Sequence, residues 1–100
     1  MDIDINNQTA ALEHLFTDDR VRVTRWTFST GQQTGMHIHE VDYIAIPITG
    51  GDFEVHMGKG ETLAMTQSAG EPYARSAGVH HNVRFVGEGY ASFVEVEHLR

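Results

Sequence analysis

Short segments of alternating apolar and polar residues, separated by glycine-containing turns, run through most of this chain. Arg20–Phe28 alternates and is rich in β-branched and aromatic residues, which is typical of a half-buried strand. Turn residues recur at close intervals, among them Thr49–Asp52 and Gly87–Gly89. No long amphipathic helical period stands out among these segments. The pattern predicts eight or nine short strands and therefore an all-β sandwich or barrel.

The length of 100 residues predicts a single domain. We place an N-terminal arm at residues 1–19 and the barrel at residues 20–100, where the strand pattern begins. Within the arm, Thr9–Phe16 has two alternatives: about two turns of helix capped by Thr9, or an extended segment along a neighbour. His14 in this segment is expected at the surface.

The charge balance excludes several classes of function. Seven Lys and Arg residues against fourteen Asp and Glu residues give a net charge of −7, and no basic run is present. Nucleic-acid binding and binding to anionic membranes are therefore not expected. The absence of cysteine excludes disulfides, thiolate zinc sites and cysteine catalysis. The N-terminus lacks the features of a signal peptide, so the expected location is the cytoplasm.

Two histidines lie two residues apart at the start of a predicted strand. His37 and His39 should point to the same face of that strand, where two imidazoles can converge on one metal ion. The same face continues to Tyr43 if no bulge intervenes. Two such histidines are more often ordinary polar residues on a solvated strand, so this pair alone is a weak signal.

Two longer segments resemble the two sequence motifs of the cupin family. Gly31–Gly50 is similar to the first motif and Gly70–His81 to the second, with Ser76 where proline is usual. The positions in register are Gly31, His37, His39 and Gly50 in the first motif, and Gly70, Gly78 and His81 in the second. The resemblance covers residues 20–97 and implies a single double-stranded β-helix barrel, which is jelly-roll-like. It also implies a homodimer.

The resemblance implies that His37, His39 and His81 are ligands of one divalent metal ion. Imidazole ligands alone do not choose among Fe, Zn, Ni and Mn. The family's glutamate ligand is missing from the first motif, and Tyr43 stands in its place. Three neutral imidazoles would leave the ion's full charge in place, which favours an anionic ligand such as a carboxylate. We expect Tyr43 to act in catalysis through a hydrogen bond to substrate, with plain packing or direct ligation as alternatives.

The implied function is that of a small-molecule enzyme of the dioxygenase, isomerase or decarboxylase type. The alternatives are a non-catalytic module that binds or senses a small molecule, and a barrel whose histidines hold no metal. Metal content and turnover separate the three, since only the enzyme loses activity when metal is removed.

Other side chains are assigned by strand alternation. His56 and His80 are expected to face outward, and Glu95 and Glu97 to form an outward polar stripe. Arg25 and Arg75 are expected in surface salt bridges, with contact to a substrate carboxylate as the rival role. The residues expected to line the barrel interior are Trp26, Phe28, Met36, Tyr73, Phe85 and Phe93.

Overall fold

The computed structural model describes residues 8–100 and is built from antiparallel strands. The nine strands in this part of the chain are β1 (Ala11–Thr17), β2 (Val21–Ser29), β3 (His37–Ile38), β4 (Tyr43–Pro47), β5 (Gly51–Met57), β6 (Thr62–Gln67), β7 (Tyr73–Arg75), β8 (His80–Phe85) and β9 (Tyr90–His98). The all-β prediction is confirmed. Nothing within residues 8–100 forms a helix long and apolar enough to cross a membrane.

The strands form two sheets that face each other. One sheet has the order β1-β2-β9-β4-β7 and the other the order β3-β8-β5-β6. From β4 onward the chain passes back and forth between the sheets, so that β8 lies in one sheet and β9 in the other. The last strand pairs with both β2 and β4 at the centre of the five-stranded sheet. This winding confirms the double-stranded β-helix barrel that the two motifs implied.

The core lies between the sheets and is mainly aromatic. Phe28 is completely buried, and its ring centroid lies 5.4 Å from that of Phe53 and 5.5 Å from that of Phe93. Four of the residues predicted to line the interior are buried, and a fifth is half-buried: these are Trp26, Phe28, Phe85 and Phe93, and Tyr73. The apolar side chains of both sheets therefore exclude water from the barrel centre.

The prediction for Met36 is wrong. Its side chain is 51% exposed. Met36 directly precedes His37, which faces the interior, and neighbouring residues of an extended chain point to opposite faces. The hydrophobicity of a residue does not override this alternation when the inward positions carry the histidines.

The helical alternative for Thr9–Phe16 is also wrong, because residues 11–17 form strand β1. This strand pairs antiparallel with β2, which would otherwise have unpaired backbone groups at the edge of its sheet. All seven residues of β1 are exposed, and His14 is exposed as expected. Residues 1–7 of the predicted arm lie outside the described residues, and the division of the chain into arm and barrel stays a prediction.

Candidate metal centre

Three histidines meet between the two sheets at one end of the barrel. His37 of β3 lies opposite His81 of β8 in the antiparallel ladder. His39 follows the end of β3 and is held by two backbone hydrogen bonds, from its own N–H to Val79 O (2.9 Å) and from the N–H of Gly78 to its carbonyl (2.7 Å). Gly78 has a φ of +98°, a conformation that side chains rarely adopt. The motif glycine thus shapes the turn that fixes His39.

The imidazole nitrogens of these histidines converge. One nitrogen from each ring lies within 4.8 Å of the other two, and the Nε2 atoms of His37 and His39 are 3.0 Å apart. Donor atoms that are each ~2.1 Å from one ion lie about 3–4 Å from one another, so small rotations of the rings suffice to close the set. Three histidines, two of them buried, could therefore hold one metal ion.

The hydrogen bonds of the rings leave lone pairs for such an ion. His37 donates from Nδ1 to the carbonyl of Gly35 at 2.8 Å, so its Nε2 carries the lone pair. His81 Nε2 is buried and has no hydrogen-bond partner within residues 8–100. A buried nitrogen without a partner is costly, and a cation would satisfy it. The chemistry of the donor set fits a divalent metal ion.

Burial also controls the charge of the histidines. It lowers the pKa of His39 to about 4, and the nearby His37 adds to this effect. Burial, followed by the charges of His37 and His39, likewise lowers the pKa of His81 to about 4. Both rings are therefore neutral near pH 7, which is the protonation state that a metal ligand needs.

Tyr43 lies beside the histidines, but not on a continuous strand face with them: the chain leaves strand structure at residues 39–42, and β3 and β4 belong to different sheets. Its side chain is 3% exposed, and its ring stacks on that of His39 with 4.0 Å between centroids. Burial, assisted by the negative charge of Glu95, raises the pKa of the Tyr43 hydroxyl. The hydroxyl is therefore protonated at neutral pH and able to donate a hydrogen bond. Its role in catalysis stays a prediction.

The prediction that Glu95 and Glu97 form an outward stripe is wrong. Glu95 is 7% exposed and points between the sheets, with its Oε2 3.9 Å from His39 Nε2. Trp26 Nε1 donates to its other oxygen, Oε1, at 3.4 Å. Burial raises the pKa of Glu95 to about 7, with a further contribution from Glu97 and an opposing one from the Trp26 hydrogen bond. Glu97 is half-buried and pairs with Arg22 at 2.6 Å.

A signal for Glu95 was present in the sequence. The sequence predicts Phe93 in the barrel interior, and a residue two positions further along the same strand must share that face. Alternation therefore places Glu95 inside, whereas its charge suggested the outside. The structure brings a carboxylate to the site even though the first motif lacks one.

Two cavities meet at this cluster. The apolar cavity, of about 260 Å³, is lined mostly by hydrophobic side chains together with Tyr43, Arg75, His81 and Glu95. The arm-side cavity, of about 590 Å³, lies against β1 and β2 and reaches His37, His39 and Glu95. The cluster is thus accessible to a small molecule from the apolar cavity and to the exterior from the arm side.

The two candidate arginines differ in position. Arg25 pairs with Glu13 at 2.6 Å on the outer surface, as expected for a surface salt bridge. Arg75 lines the apolar cavity, and its guanidinium lies 4.5 Å from the centre of the Tyr73 ring. Arg75 is therefore the one of the two that can meet a ligand in this cavity. His56 bonds to Glu54 and His80 is exposed, so both face away from the cluster as predicted.

Comparison with known proteins places the chain in a family. No protein-family profile matches it. It is 40% identical over 77 residues to the β-alanine degradation protein BauB of Pseudomonas aeruginosa, a match that covers 77% of this chain and 80% of BauB.

The solved structures agree with this assignment. A cupin domain from Bordetella pertussis superposes with a TM-score of 0.86 at 33% identity, covering 90% of this chain and 93% of that one. An RmlC-like cupin with a double-stranded β-helix fold from Methanocaldococcus jannaschii has a TM-score of 0.74 at 16% identity, covering 91% and 81%. From its fold, its motifs and its identity to the Bordetella domain, this chain belongs to the cupin family.

Proposed function

We propose that this protein binds one divalent metal ion through His37, His39 and His81 and acts as an enzyme on a small carboxylate. The observation that carries the proposal is the convergence of three imidazoles, among them a buried His81 Nε2 without a hydrogen-bond partner in the described part of the chain. A divalent ion at this place would supply Lewis acidity to an oxygen of the substrate.

The cavity beside the cluster supports a small substrate with one anionic group. The apolar cavity of about 260 Å³ suits a molecule of few heavy atoms, and Arg75 offers a cation at its wall. The relative BauB is named for the degradation of β-alanine, which is a small carboxylate. In our proposal Arg75 pairs with the substrate carboxylate, and the Tyr43 hydroxyl donates a hydrogen bond that orients it.

Metal content tests the first part of the proposal. Untagged protein should contain about one divalent ion per chain, and His81→Ala should lose it because one of three ligands is gone. His80→Ala is the matched control, since His80 is the neighbouring residue and is exposed. Equal metal content in the two variants would contradict the proposal.

Turnover tests the second part. A panel of small carboxylates, including β-amino acids, should contain a substrate that is consumed by the metal-loaded protein, spared after chelation and consumed again after metal is restored. Saturable binding without turnover across the panel would contradict the enzyme and support the non-catalytic binding module.

The proposal includes a cytoplasmic location and a homodimer. Strand β1 supports the dimer, because it is the outer strand of its sheet and carries exposed Leu12 and Phe16. Light scattering should give twice the chain mass for the wild type, and Phe16→Glu should shift the protein towards the monomer. A monomeric wild type would contradict the dimer without affecting the metal centre.

A further inference from the structure

We propose that Glu95 of β9 is a fourth protein ligand of the ion that the three histidines hold. The inference rests on the proposed function, since it needs an ion at the centre. It assigns to the last strand the carboxylate that is missing from the first motif, where Tyr43 stands instead.

The carboxylate of Glu95 lies close enough to the histidines to share an ion with them. Glu95 Oε2 lies 3.9 Å from His39 Nε2. Two donors that are each ~2.1 Å from one ion are at most about 4.2 Å apart, so this pair already satisfies the limit for a shared ion. Glu95 also lines both cavities that meet at the cluster, the apolar one with His81 and the arm-side one with His37 and His39.

The carboxylate of Glu95 has no cationic side chain beside it in the described part of the chain. Within residues 8–100, no Lys or Arg nitrogen lies within 4.0 Å of Glu95, and Arg22 pairs with Glu97 instead. A carboxylate buried without a cation is strongly unfavourable. A divalent ion at the histidines would supply the positive charge that the surrounding side chains do not.

The hydrogen bond from Trp26 orients the carboxylate of Glu95. It engages Oε1 and leaves Oε2 directed towards His39. A single donor on the far oxygen orients a carboxylate without competing for the other, which is the usual arrangement around ligating carboxylates. Trp26 is in turn held by stacking near His37, with 6.4 Å between ring centroids.

If Glu95 is a ligand, removing its charge should weaken metal binding but should not destabilise the metal-free protein. Glu95→Gln keeps the shape and an oxygen that accepts the Trp26 hydrogen bond, but it removes the charge. Metal affinity should fall by about 10–100-fold or more, because mutation of residues that only hydrogen-bond to metal ligands already lowers the affinity by that factor. The denaturation midpoint of the metal-free protein at neutral pH should be unchanged or higher, because an unpaired buried charge is gone.

The experiment measures Zn²⁺ affinity by competition with a chromophoric chelator and the absorption spectrum of the Co²⁺-loaded protein. Glu97→Gln is the matched control, because Glu97 lies two residues along β9 and its carboxylate is engaged by Arg22. It should leave the affinity within about threefold of the wild type and the Co²⁺ spectrum unchanged, whereas Glu95→Gln should alter both.

Two failures are distinguishable. If wild type, His80→Ala and His81→Ala all bind less than stoichiometric metal, the proposed function fails and this inference fails with it. If His81→Ala loses the ion while Glu95→Gln keeps the wild-type affinity or the wild-type Co²⁺ spectrum, Glu95 is no ligand and the three-histidine centre stands. A fall in the stability of metal-free Glu95→Gln would assign the residue a structural role and also overturn the inference.

Discussion

Tyr43 and His39 are in ring contact, and the contact explains how a tyrosine occupies a position that the family often gives to a carboxylate ligand. The phenol ring stacks on the imidazole and fixes its plane. Burial keeps the hydroxyl protonated by raising its pKa, so it donates a hydrogen bond and makes a poor anionic ligand. A substitution can therefore remove the hydroxyl while it keeps the stacked ring.

Tyr43→Phe separates them. The variant keeps the stacked ring, so metal affinity should stay within about threefold of the wild type. Toward a carboxylate substrate, kcat/KM should fall about tenfold, which corresponds to one lost hydrogen bond of ~1.4 kcal/mol. Chelator competition and steady-state kinetics measure the two quantities. A loss of metal affinity above about tenfold would show instead that the phenol oxygen is a ligand.

At the scale of elements, β8 positions His37 of β3. It does so through the loop that precedes β3. Asn82 of β8 accepts a hydrogen bond from the N–H of Gly35 (2.8 Å) and donates to Gln33 Oε1 (3.0 Å). The carbonyl of Gly35 in turn accepts the hydrogen bond from His37 Nδ1. The strand that carries His81 thus also fixes the rotation of the His37 ring, since β3 itself is only two residues long.

Asn82→Ala tests this support. The loop loses its side-chain partner, so the free energy of unfolding should fall by about 1–3 kcal/mol, the penalty for an unsatisfied buried group. Metal affinity should fall by about tenfold, as for other outer partners of a ligand, and by less than in His81→Ala.

Gln33→Ala is the control for Asn82→Ala, because it removes one partner of Asn82 and leaves the bond to Gly35 intact. Titration with metal and denaturant melts compare the variants. An unchanged affinity in Asn82→Ala would mean that β3 and the backbone alone hold His37.

For the whole molecule, one aromatic cluster connects the two sheets. Phe28 and Phe93 belong to the five-stranded sheet and Phe53 to the four-stranded sheet, and all three rings lie within 5.9 Å of one another. The histidine cluster lies where the sheets meet: His37 and His81 belong to the four-stranded sheet, and Tyr43 and Glu95 beside them to the five-stranded sheet. Its geometry therefore depends on this packing.

Phe28→Ala should therefore destabilise the protein by about 3–5 kcal/mol, the range for removing a fully buried phenylalanine. Tyr90→Ala is the control: Tyr90 is 64% exposed, so truncating it should change the free energy of unfolding by about 0.5 kcal/mol or less. Equilibrium denaturation of the metal-free protein measures both. Comparable losses in the two variants would show that the aromatic cluster contributes little.

The stability of the metal-free protein should depend on pH with a maximum near pH 6.5. The pKa values of His39 and His81 are lowered from 6.5 to about 4, so their contribution is present above pH 6.5 and is lost as the pH falls towards 4. The pKa of Glu95 is raised from 4.5 to about 7, so its contribution is present below pH 4.5 and is lost as the pH rises through 7. Between pH 4.5 and 6.5 the stabilisation gained from the two histidines as the pH increases is larger than the loss from the one carboxyl group. The free energy of unfolding therefore rises with pH over this range.

Denaturant midpoints in the presence of a chelator measure this profile. Glu95→Gln should abolish the decline in stability above about pH 6.5, because the carboxyl group is gone. The variant should still lose stability as the pH falls towards 4, because His39 and His81 remain. The titratable groups that interact with Glu95 are His39, Tyr43, Tyr73 and Glu97, and Arg75 and His81 line the apolar cavity with it. If stability fell equally in wild type and Glu95→Gln above about pH 6.5, Glu95 would not be the cause of that fall.

The sequence by itself determined the eight strands from β2 to β9 and the three histidines. Alternation decides which face a residue occupies, and glycines mark the turns, since both are local properties of the chain. The two motifs located His37, His39 and His81 because their spacing reflects strand and turn geometry that the fold requires.

The tertiary structure alone decided what meets these residues. Strand β1 forms because β2 needs a partner along its edge, and the local sequence Thr9–Phe16 does not reveal that edge. Alternation can place Glu95 inside the barrel, but only the pairing of β9 between β2 and β4 brings its carboxylate to His39. Such contacts depend on how distant strands pair across the barrel, and no local pattern encodes that pairing.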